Sequence, residues 1–328
     1  MTTRNLIITQ KKYRLGKHKH WNTPKKIIQE YVGRITLSPV IDLDKIINGE
    51  TNEVFSVKTK DELEYIFRFA HNKERNPFLK EAWVLRRCND RGVPVPKILL
   101  IDSFKDRGKT VYVCAESKIR GVGLGELADT ISRKKVEDIL KQAGKVFRKI
   151  HSIKTEGFGD LNEFGEGKCS SVVKLITDFG VSLEGKVLTE LKKKHDDLVL
   201  VKKAYKILHD NQKDIYVSSP FVIHNDISPD HIIVYDNKVS GIIDFESAKG
   251  ADPILEFTRW DFKFSKRYPI TCFLEGYGYK KIKDFKKRFN YWMLFRLLLS
   301  LRYCIDEKKK DGISYALREI EKTLNLFA

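Results

Sequence analysis

Residues 221–244 decide the fold of this 328-residue chain. They begin Phe-Val-Ile-His-Asn-Asp-Ile-Ser-Pro-Asp-His-Ile-Ile-Val (221–234) and end, after a polar turn, in Gly-Ile-Ile-Asp (241–244). Two short apolar runs, Ile232–Val234 and Gly241–Ile243, flank Asp-Asn-Lys at 236–238, a pattern that predicts a β-hairpin. The hairpin would hold a charged loop before its first strand and a carboxylate just after its second.

Two carboxylates at the ends of this hairpin suggest a chemistry. Asp226 lies on the loop before the first strand, and Asp244 follows the second. Phosphoryl transfer needs such a pair, because one Asp accepts the proton of an attacking hydroxyl and another holds Mg²⁺ against the nucleotide phosphates. A carboxylate after one apolar strand is common, but a pair at this spacing is much rarer, so we interpret both as functional.

The same stretch resembles the catalytic core of the aminoglycoside phosphotransferase family, which shares its fold with protein kinases and choline kinases. The family carries His-x-Asp, then Asn or His, an apolar strand, Ile-Ile-Asp and a later Asp-Pro. The matching residues are His224-Asn225-Asp226, His231, Ile242-Ile243-Asp244 and Asp252-Pro253. Asn225, together with Phe245 after the metal-binding Asp, is similar to the branch that phosphorylates the 2″ hydroxyl of aminoglycosides.

This resemblance, which covers about residues 40–280, implies an α+β, protein-kinase-like bilobal fold with a small β-rich N-lobe and a larger, mostly helical C-lobe. We expect a basic N-terminal extension (1–34), a nucleotide-binding N-lobe (35–118) and a catalytic, acceptor-binding C-lobe (119–328). Asp226 would accept the proton, while Asp244 and His231 would hold Mg²⁺. His231 departs from the kinase pattern, where Asn is usual, and neutral imidazole is a poor ligand for Mg²⁺.

The N-lobe contains a candidate nucleotide loop. Residues 46–52 followed by the apolar run 54–57 predict a strand, a tight turn and a second strand. Such a turn can lay backbone N–H groups over phosphates. A single glycine by itself favours a plain hairpin, but the resemblance makes this the family's nucleotide loop, with Gly49, Thr51 and Asn52 as its binding residues.

Arg68 lies in the predicted strand 65–70, where kinases carry the Lys that holds the phosphates. Arg can serve there because its planar guanidinium keeps its charge; an edge-strand charge is the structural alternative. Glu81, on the amphipathic helix predicted over 78–85, is placed to pair with Arg68 as the kinase Lys–Glu pair does. The strand 111–115 then leads to Glu116 and Lys118, which we expect at the hinge beside the purine, with ATP versus GTP left open.

Several C-lobe residues have structural interpretations. The resemblance makes His151 a hydrogen-bonded structural histidine and Asp252 the residue that supports the catalytic loop. Asp-Phe-Gly at 178–180 matches the kinase metal triplet by chance, because it precedes the catalytic loop and lies in a helical region. Acidic residues near the acceptor side could hold a cationic acceptor, although solvated charges are the commoner explanation; they are Glu246, Glu256, Asp261 and Glu275.

Charge is unusual in this chain. The net charge is +18 with a pI near 9.5, and residues 1–34 carry nine Lys or Arg against one Glu. Three interpretations fit this surplus of positive charge: nucleic-acid binding, a general Lys-rich composition without a specific role, and electrostatic steering of an anionic nucleotide. We disfavour nucleic acid because no nucleic-acid fold motif accompanies the charge. Within the basic segment, Thr23-Pro24 predicts an N-cap and the first residue of a helix to about Tyr31; the segment before that helix is either an arm on the core or a disordered tail.

Composition limits the protein class further. The five cysteines are scattered without a Cys-x-x-Cys pair, which argues against a zinc site or a disulfide framework. No secretory signal is evident, and the apolar stretch 291–304 is interrupted by Arg296 and Arg302. We therefore expect a cytoplasmic monomer without a membrane segment.

The prediction for function is a phosphotransferase that moves the γ-phosphate of ATP or GTP to a hydroxyl of a small molecule, with an aminoglycoside as one candidate. One alternative is the same fold acting on a sugar, amino alcohol, nucleoside or protein. The other is a non-catalytic protein that binds nucleotide or RNA, for which Arg68 and His231 are the best support.

Overall fold

The computed structural model describes residues 21–46, 51–71, 73–183, 187–191, 195–212 and 219–327. The predicted nucleotide-loop residue Gly49 therefore lies outside the described residues, as do residues 1–20 of the basic segment. The described elements form a small sheet-based lobe followed by a larger helical lobe. This is the α+β bilobal architecture that the sequence predicted.

The N-lobe is built on one antiparallel sheet of five strands in the order β1-β2-β3-β5-β4. The strands are β1 (Val40–Ile46), β2 (Glu53–Thr59), β3 (Glu64–Ala70), β4 (Ile98–Asp106) and β5 (Lys109–Ser117). The strands predicted over 65–70 and 111–115 are present, each within a slightly longer element. β3 pairs with both β2 and β5, so Arg68 lies in the interior of the sheet and not on an edge strand.

Helix α1 (Lys25–Gly33) packs on this sheet. Its buried Ile28, Tyr31 and Val32 share one apolar cluster with side chains of β2, β3 and β5. The N-cap predicted at Thr23 is wrong, because Pro24 occupies that position. Thr23 instead donates from its backbone N–H and its hydroxyl to the buried carboxylate of Glu53, the latter over 2.6 Å. The hydroxyl's charge-assisted bond to a buried carboxylate is stronger than the bond that an N-cap hydroxyl accepts from a helix N–H.

Helix α2 (Phe78–Asp90) connects the two lobes. Phe78 at its start packs with Ala70 and Cys114 of the sheet. Val84, Leu85 and Cys88 belong instead to the apolar cluster of the C-lobe. One helix therefore contributes to both cores, and its Glu81 lies between them.

The C-lobe is mostly helical. Its helices are α3 (Leu124–Leu127), α4 (Arg133–Ile150), α5 (Val172–Leu183), α6 (Thr189–Leu191), α7 (His195–Asp210), α8 (Ile254–Phe264), α9 (Ile270–Tyr277), α10 (Phe285–Asp306) and α11 (Lys310–Leu324). Helix α10 is buried, with Tyr291, Trp292 and Leu298 fully enclosed. In the part of the chain that is described, no helix is both long and apolar enough to cross a membrane.

The predicted hairpin is confirmed as β10 (Ile232–Tyr235) and β11 (Lys238–Ile242). Asp236 and Asn237 both have positive φ, at 50° and 58°, as a two-residue turn between twisted strands requires. β10 also pairs with the short β6 (Val122–Gly123). A second small sheet contains β7 (Phe158–Leu161), β8 (Gly167–Cys169), β9 (Phe221–Ile223) and β12 (Lys249–Ala251). The two sheets hold both ends of the loop between β9 and β10.

Two glycines allow α4 and α9 to approach closely. A Cβ on Gly144 would overlap the Phe273 carbonyl oxygen and the Tyr277 amide, and one on Gly276 would overlap the Lys141 carbonyl. Glycine is therefore needed at both positions for backbone contact between the helices. This contact supports the helix that ends at His151, whose Nδ1 lies 3.1 Å from the Tyr277 hydroxyl; His151 is buried, as predicted.

Candidate active site

His224 fixes the loop between β9 and β10 from the inside. The ring is fully buried, and its Nε2 donates to the Ile243 carbonyl oxygen over 2.8 Å. Its Nδ1 then accepts the backbone N–H of Asp226 at 3.3 Å. Because one nitrogen donates and the other accepts, the ring is neutral. His224 thereby ties the loop that carries Asp226 to the strand end that precedes Asp244.

Glu256 of α8 supports the same loop from below. Its carboxylate is fully buried and accepts the backbone N–H groups of His224 and Asn225. Burial alone would raise the pKa of Glu256, but the nearby His151 and the hydrogen bonds outweigh it and lower the pKa. The supporting role that the sequence assigned to Asp252 is therefore wrong. The Asp252 carboxylate is occupied by Arg288 and Trp292 of α10.

The loop and the strand end bring Asp226, His231 and Asp244 together. One ligand atom from each lies within 4.8 Å of the others. His231 donates from Nδ1 to the Asp226 carbonyl oxygen over 3.0 Å, and its Nε2 faces Asp244 Oδ2 at 3.4 Å. Burial lowers the pKa of His231, which favours a neutral ring. A lone pair on Nε2 therefore faces a carboxylate oxygen, an arrangement that a bound cation would stabilise.

Two non-glycine residues at this site have left-handed backbones. Asn225 has φ 64° and Asp244 has φ 70°. Such conformations carry strain and persist where the surroundings hold them in place. Asn225 is held by Glu256 at its N–H and by Arg296 at its side-chain oxygen, over 3.1 Å. The backbone conformations of Asn225 and Asp244 therefore help to place the Asp226 and Asp244 side chains near each other.

Arg259, which the sequence analysis missed, forms an ion pair with Asp226. Arg259 lies on α8, three residues beyond Glu256, and its side chain is mostly buried. The signal that would have found it is helical spacing, since residues three apart on a helix share a face. The pair places a guanidinium directly on the Asp226 carboxylate, so Arg259 competes with other groups for that carboxylate.

Across the cleft, Arg68 forms the predicted ion pair with Glu81. Its guanidinium also lies 3.6 Å from the Glu116 carboxylate and over the Phe78 ring. Burial raises the pKa of Glu116 to about 7, and Arg68 only partly offsets this. The Arg68 Nε is buried and has no hydrogen-bond partner among the described residues. Arg68 thus retains a free donor while both carboxylates hold it in position.

The end of the predicted nucleotide loop contacts the loop beyond Asp244. Thr51 donates its hydroxyl to Glu246 over 3.0 Å, and Asn52 donates its side-chain amide to the same oxygen over 2.9 Å. Burial and the nearby Asp244 raise the pKa of Glu246. Glu246 therefore joins the lobes, a contact that sequence reasoning did not find because the two loops are far apart in the chain.

Lys118 is engaged elsewhere. Its ammonium pairs with Glu64 over 2.7 Å, and its backbone N–H donates to the Glu64 carbonyl over 3.1 Å. The hinge group expected beside a purine is thus already bonded to β3 in this conformation. Ser117, one residue earlier, likewise donates its N–H to Lys97.

Each of the four acidic residues considered for a cationic acceptor has a partner or a place within the protein. Glu256 is enclosed under the catalytic loop and Glu246 faces the nucleotide loop. Asp261 accepts from Ser265, and Glu275 pairs with Lys141. Asp178 of the chance Asp-Phe-Gly match lies on α5 and pairs with Lys174, so that interpretation is confirmed.

A bilobal fold with two carboxylates on a β-hairpin and an Arg–Glu pair across the cleft defines the protein-kinase-like class of phosphotransferases. The model of the phosphotransferase enzyme family matches residues 42–260, more than half of the chain. The chain therefore belongs to the phosphotransferase enzyme family. The predicted family and the prediction that the protein is an enzyme, a phosphotransferase, are confirmed.

Solved structures agree with this fold. A complex of a thermostable mutant of aminoglycoside phosphotransferase APH(4)-Ia with AMP-PNP and hygromycin B has a TM-score of 0.74 and 18% identity, over 92% of this chain and 99% of that one. The GDP complex of wild-type aminoglycoside 2'-phosphotransferase-IIIa has a TM-score of 0.66 and 15% identity, over 92% and 98%.

The gentamicin complex of APH(2")-IIa has a TM-score of 0.60 and 14% identity, over 92% of this chain and 96% of that one. At these identities the likeness shows the protein-kinase-like fold, which is thereby confirmed. No curated protein sequence matched the chain.

Proposed function

We propose that this protein transfers the γ-phosphoryl group of ATP or GTP to a hydroxyl group of a small molecule. The observation that carries the proposal is the convergence of Asp226, His231 and Asp244 within 4.8 Å, at the end of a hairpin in a family of phosphotransferases. A phosphoryl transferase needs little covalent chemistry from the protein, and positioning together with charge supplies most of its catalysis.

Asp226 is the proposed proton acceptor. The acceptor's oxygen forms a bond to the γ-phosphorus, the bond from that phosphorus to the β–γ bridging oxygen breaks, and nucleoside diphosphate leaves. The hydroxyl proton passes to an Asp226 carboxylate oxygen. Arg259 is paired with one of the two carboxylate oxygens, Oδ1, in this conformation, so the proton passes to Oδ2 or Arg259 gives up Oδ1.

Asp244 and His231 are the proposed metal ligands. A divalent ion between them would neutralise the charge on the phosphates. The donor set fits such an ion, because a carboxylate oxygen and a neutral imidazole nitrogen face each other across 3.4 Å. Oxygen ligands suit Mg²⁺, while the imidazole nitrogen suits transition metals better.

The nucleotide is proposed to bind between the lobes, with residues 35–118 supplying most of its contacts and residues 119–328 the catalytic and acceptor groups. Arg68, oriented by Glu81 and Glu116, would donate its free Nε–H to a phosphate. Thr51 and Asn52 would contact the phosphates after leaving Glu246, together with Gly49. For Lys118 and Glu116 at the hinge, backbone contact with the purine requires the strand end to open.

The acceptor is the open part of the proposal. The matched structures include complexes with hygromycin B and gentamicin, so an aminoglycoside is one candidate, and another hydroxylated compound is the alternative. A non-catalytic nucleotide- or RNA-binding protein remains the rival. Retention of Asp226 and Asp244 in a converged site argues against that rival.

The experiment measures release of nucleoside diphosphate from MgATP and MgGTP with a panel of aminoglycosides and other hydroxylated acceptors. The test variant is Asp226→Asn and the matched control is Asp236→Asn, at a hairpin position where Asn also tolerates positive φ. We expect a loss of about 10²–10⁴-fold in Asp226→Asn, with nucleotide affinity unchanged, and no loss in the control.

Full turnover by Asp226→Asn would contradict the assignment of the proton acceptor. Salt-sensitive RNA binding without turnover in the wild-type protein would favour the rival instead.

A further inference from the structure

Basic side chains of α8 and α10 lie near Asp226. Arg259 and Lys263 lie one turn apart on α8, so they share a face of that helix. Arg296 of α10 donates to the side-chain oxygen of Asn225 and to the Leu255 carbonyl, over 3.1 and 3.4 Å. We call these three residues, Arg259, Lys263 and Arg296, the basic cluster.

The three cations of the basic cluster outnumber the nearby carboxylates that a ligand could reach. Among the strongest charge effects on Lys263 and Arg296, the carboxylates are Asp226 and Glu256. Glu256 is fully buried and is used by the backbone of the catalytic loop. Asp226 is partly exposed and forms an ion pair with Arg259.

The cations of the basic cluster keep unused hydrogen-bonding capacity. The Nε atoms of Arg259 and Arg296 are buried without a partner among the described residues. The Lys263 ammonium likewise has no hydrogen bond or ion pair to any described residue, and its side chain is exposed. Buried charged donors without partners cost free energy, so a ligand that accepts from them would be bound strongly.

The lowered pKa values of Lys263 and Arg296 reflect repulsion between the like charges of the basic cluster. Loss of surrounding water and the charges of Arg259 and Arg296 lower the pKa of Lys263 to about 8. Burial and the charge of Arg259 lower the pKa of Arg296 to about 10. Lys263 keeps exposed surface while nearby protein displaces water from its ammonium, as in the wall of a cleft. An added negative charge would relieve the repulsion among the three cations.

We propose that the acceptor carries an anionic group, a carboxylate or a phosphate, that binds the basic cluster while the acceptor's hydroxyl lies at Asp226. This inference rests on the proposed function and names the substrate class of the same site. The anionic group would accept hydrogen bonds from Arg259 and Lys263, since guanidinium and ammonium groups bind such anions well.

Anion binding would also prepare the carboxylate for its role. Arg259 now forms an ion pair with Asp226 Oδ1, so its donors compete with the acceptor's hydroxyl for that oxygen. An anion that draws Arg259 toward Lys263 would free Oδ1 for the acceptor's hydroxyl. A polycationic acceptor such as an aminoglycoside would instead place its ammonium groups against the cations of the basic cluster, so this inference favours the other hydroxylated compounds of the proposed function over the aminoglycoside.

The test measures binding to the full-length protein loaded with AMP-PNP and Mg²⁺, by calorimetry. The probes are matched sets: glycerol, glycerate and glycerol 3-phosphate; glucose, gluconate and glucose 6-phosphate; and gentamicin as the cation. Nucleotide turnover with MgATP and MgGTP is measured on the same set. Lys263→Gln is the test variant, and Lys266→Gln, an exposed lysine just beyond α8, is the control with the same change in net charge.

We expect anionic members of a set to bind and the neutral member to bind at least about tenfold more weakly, the ratio given by roughly 1.4 kcal/mol. Lys263→Gln should weaken anion binding by a similar factor, while Lys266→Gln should not. Preference for carboxylate or phosphate within a set identifies which anion the site takes.

The inference is overturned if no anionic probe binds, if anion binding is the same in Lys263→Gln, or if gentamicin binds in preference to the anions. These outcomes are distinct from failure of the proposed function. Turnover with a neutral or cationic acceptor would keep the function and remove the inference. Anion binding that depends on Lys263, without turnover, would keep the inference and remove the proposed function.

Discussion

Glu81 links the arginine of the N-lobe directly to the loop that carries Asp244. One of its carboxylate oxygens binds Arg68, and the other accepts the backbone N–H of Phe245 over 3.1 Å. Phe245 immediately follows Asp244 and is fully buried. The proposed phosphate-binding and metal-binding parts of the site are thus coupled through a single side chain, so a change in Glu81 should affect both.

Replacement of Glu81 by Gln should weaken nucleotide binding. Gln keeps an oxygen for the Phe245 N–H but loses the charge that orients Arg68, which then shifts toward Glu116. We expect nucleotide affinity to fall by about tenfold, since a charge-assisted hydrogen bond contributes about 1.5–3 kcal/mol. Titration with ATP and GTP measures this. The control is Glu74→Gln on the exposed surface, and unaltered affinity in Glu81→Gln would disprove the coupling.

His231→Asn should change the metal preference. Asn offers a carbonyl oxygen in place of an imidazole nitrogen, and Mg²⁺ prefers oxygen ligands. We expect the variant to reach half-maximal turnover at lower Mg²⁺ concentration and to lose part of its response to Mn²⁺. The measurement is turnover against each metal after removal of bound ions by EDTA. His209→Asn, on the exposed surface of α7, is the control; identical metal curves for wild type and His231→Asn would exclude His231 as a ligand.

Glu116 should make the protein less stable as pH rises. Burial raises its pKa from 4.5 to about 7, so between these values the folded state keeps a proton that the unfolded state has lost. The free energy of unfolding therefore falls as pH rises from about 4.5 to 7, by up to about 3 kcal/mol.

In Glu116→Gln this pH dependence should disappear, so the variant's melting temperature should gain on that of wild type between pH 5 and pH 8. Thermal melts across that range measure the difference. Glu126→Gln, on an exposed side chain, should follow wild type at every pH. A constant offset between Glu116→Gln and wild type would contradict the prediction.

Glu53 should have the opposite effect. Burial alone would raise its pKa, but hydrogen bonds from His71, Lys45 and Thr23 outweigh it and hold the pKa at about 2. Its stabilisation is therefore full above about pH 4.5 and is lost as pH falls toward 2.

Glu53→Gln should lower the free energy of unfolding at pH 7 by about 3 kcal/mol, and the difference from wild type should shrink at pH 3. Urea unfolding at both pH values is the measurement, with Glu30→Gln on exposed α1 surface as control. A difference that stays the same at pH 3 would show that the charge of Glu53 is not responsible.

Gly144→Ala should destabilise the C-lobe. The added Cβ would overlap the backbone of α9 at Phe273 and Tyr277, and such overpacking costs about 1–3 kcal/mol. Gly33→Ala is the matched control, because a Cβ at Gly33 meets nothing within 4 Å; it should be neutral or slightly stabilising. Denaturant midpoints measure both, and equal midpoints would show that α4 and α9 can separate without loss.

The sequence determined the elements whose signals are local. The two short apolar runs and the Asp-Asn-Lys turn specified the hairpin β10–β11. The hairpin pattern predicted that Asp244 returns close to His231, because the two strands are antiparallel, and the family resemblance supplied the grouping of Asp226, His231 and Asp244 into one site. Arg68 and Glu81 were predicted as a pair from the resemblance to the kinase Lys–Glu pair, and the structure contains that pair.

Only the tertiary structure decided which residues from distant parts of the chain bind those side chains. Arg259 on Asp226, Glu246 on Thr51 and Asn52, and Glu256 under the catalytic loop join segments that no local pattern relates. The structure also shows that Glu256, and not Asp252, supports the catalytic loop, because Arg288 and Trp292 of α10 bind the Asp252 carboxylate. Charged side chains pair with the opposite charges that lie close to them in the folded chain. Sequence spacing does not predict which residues of two packed helices lie close together.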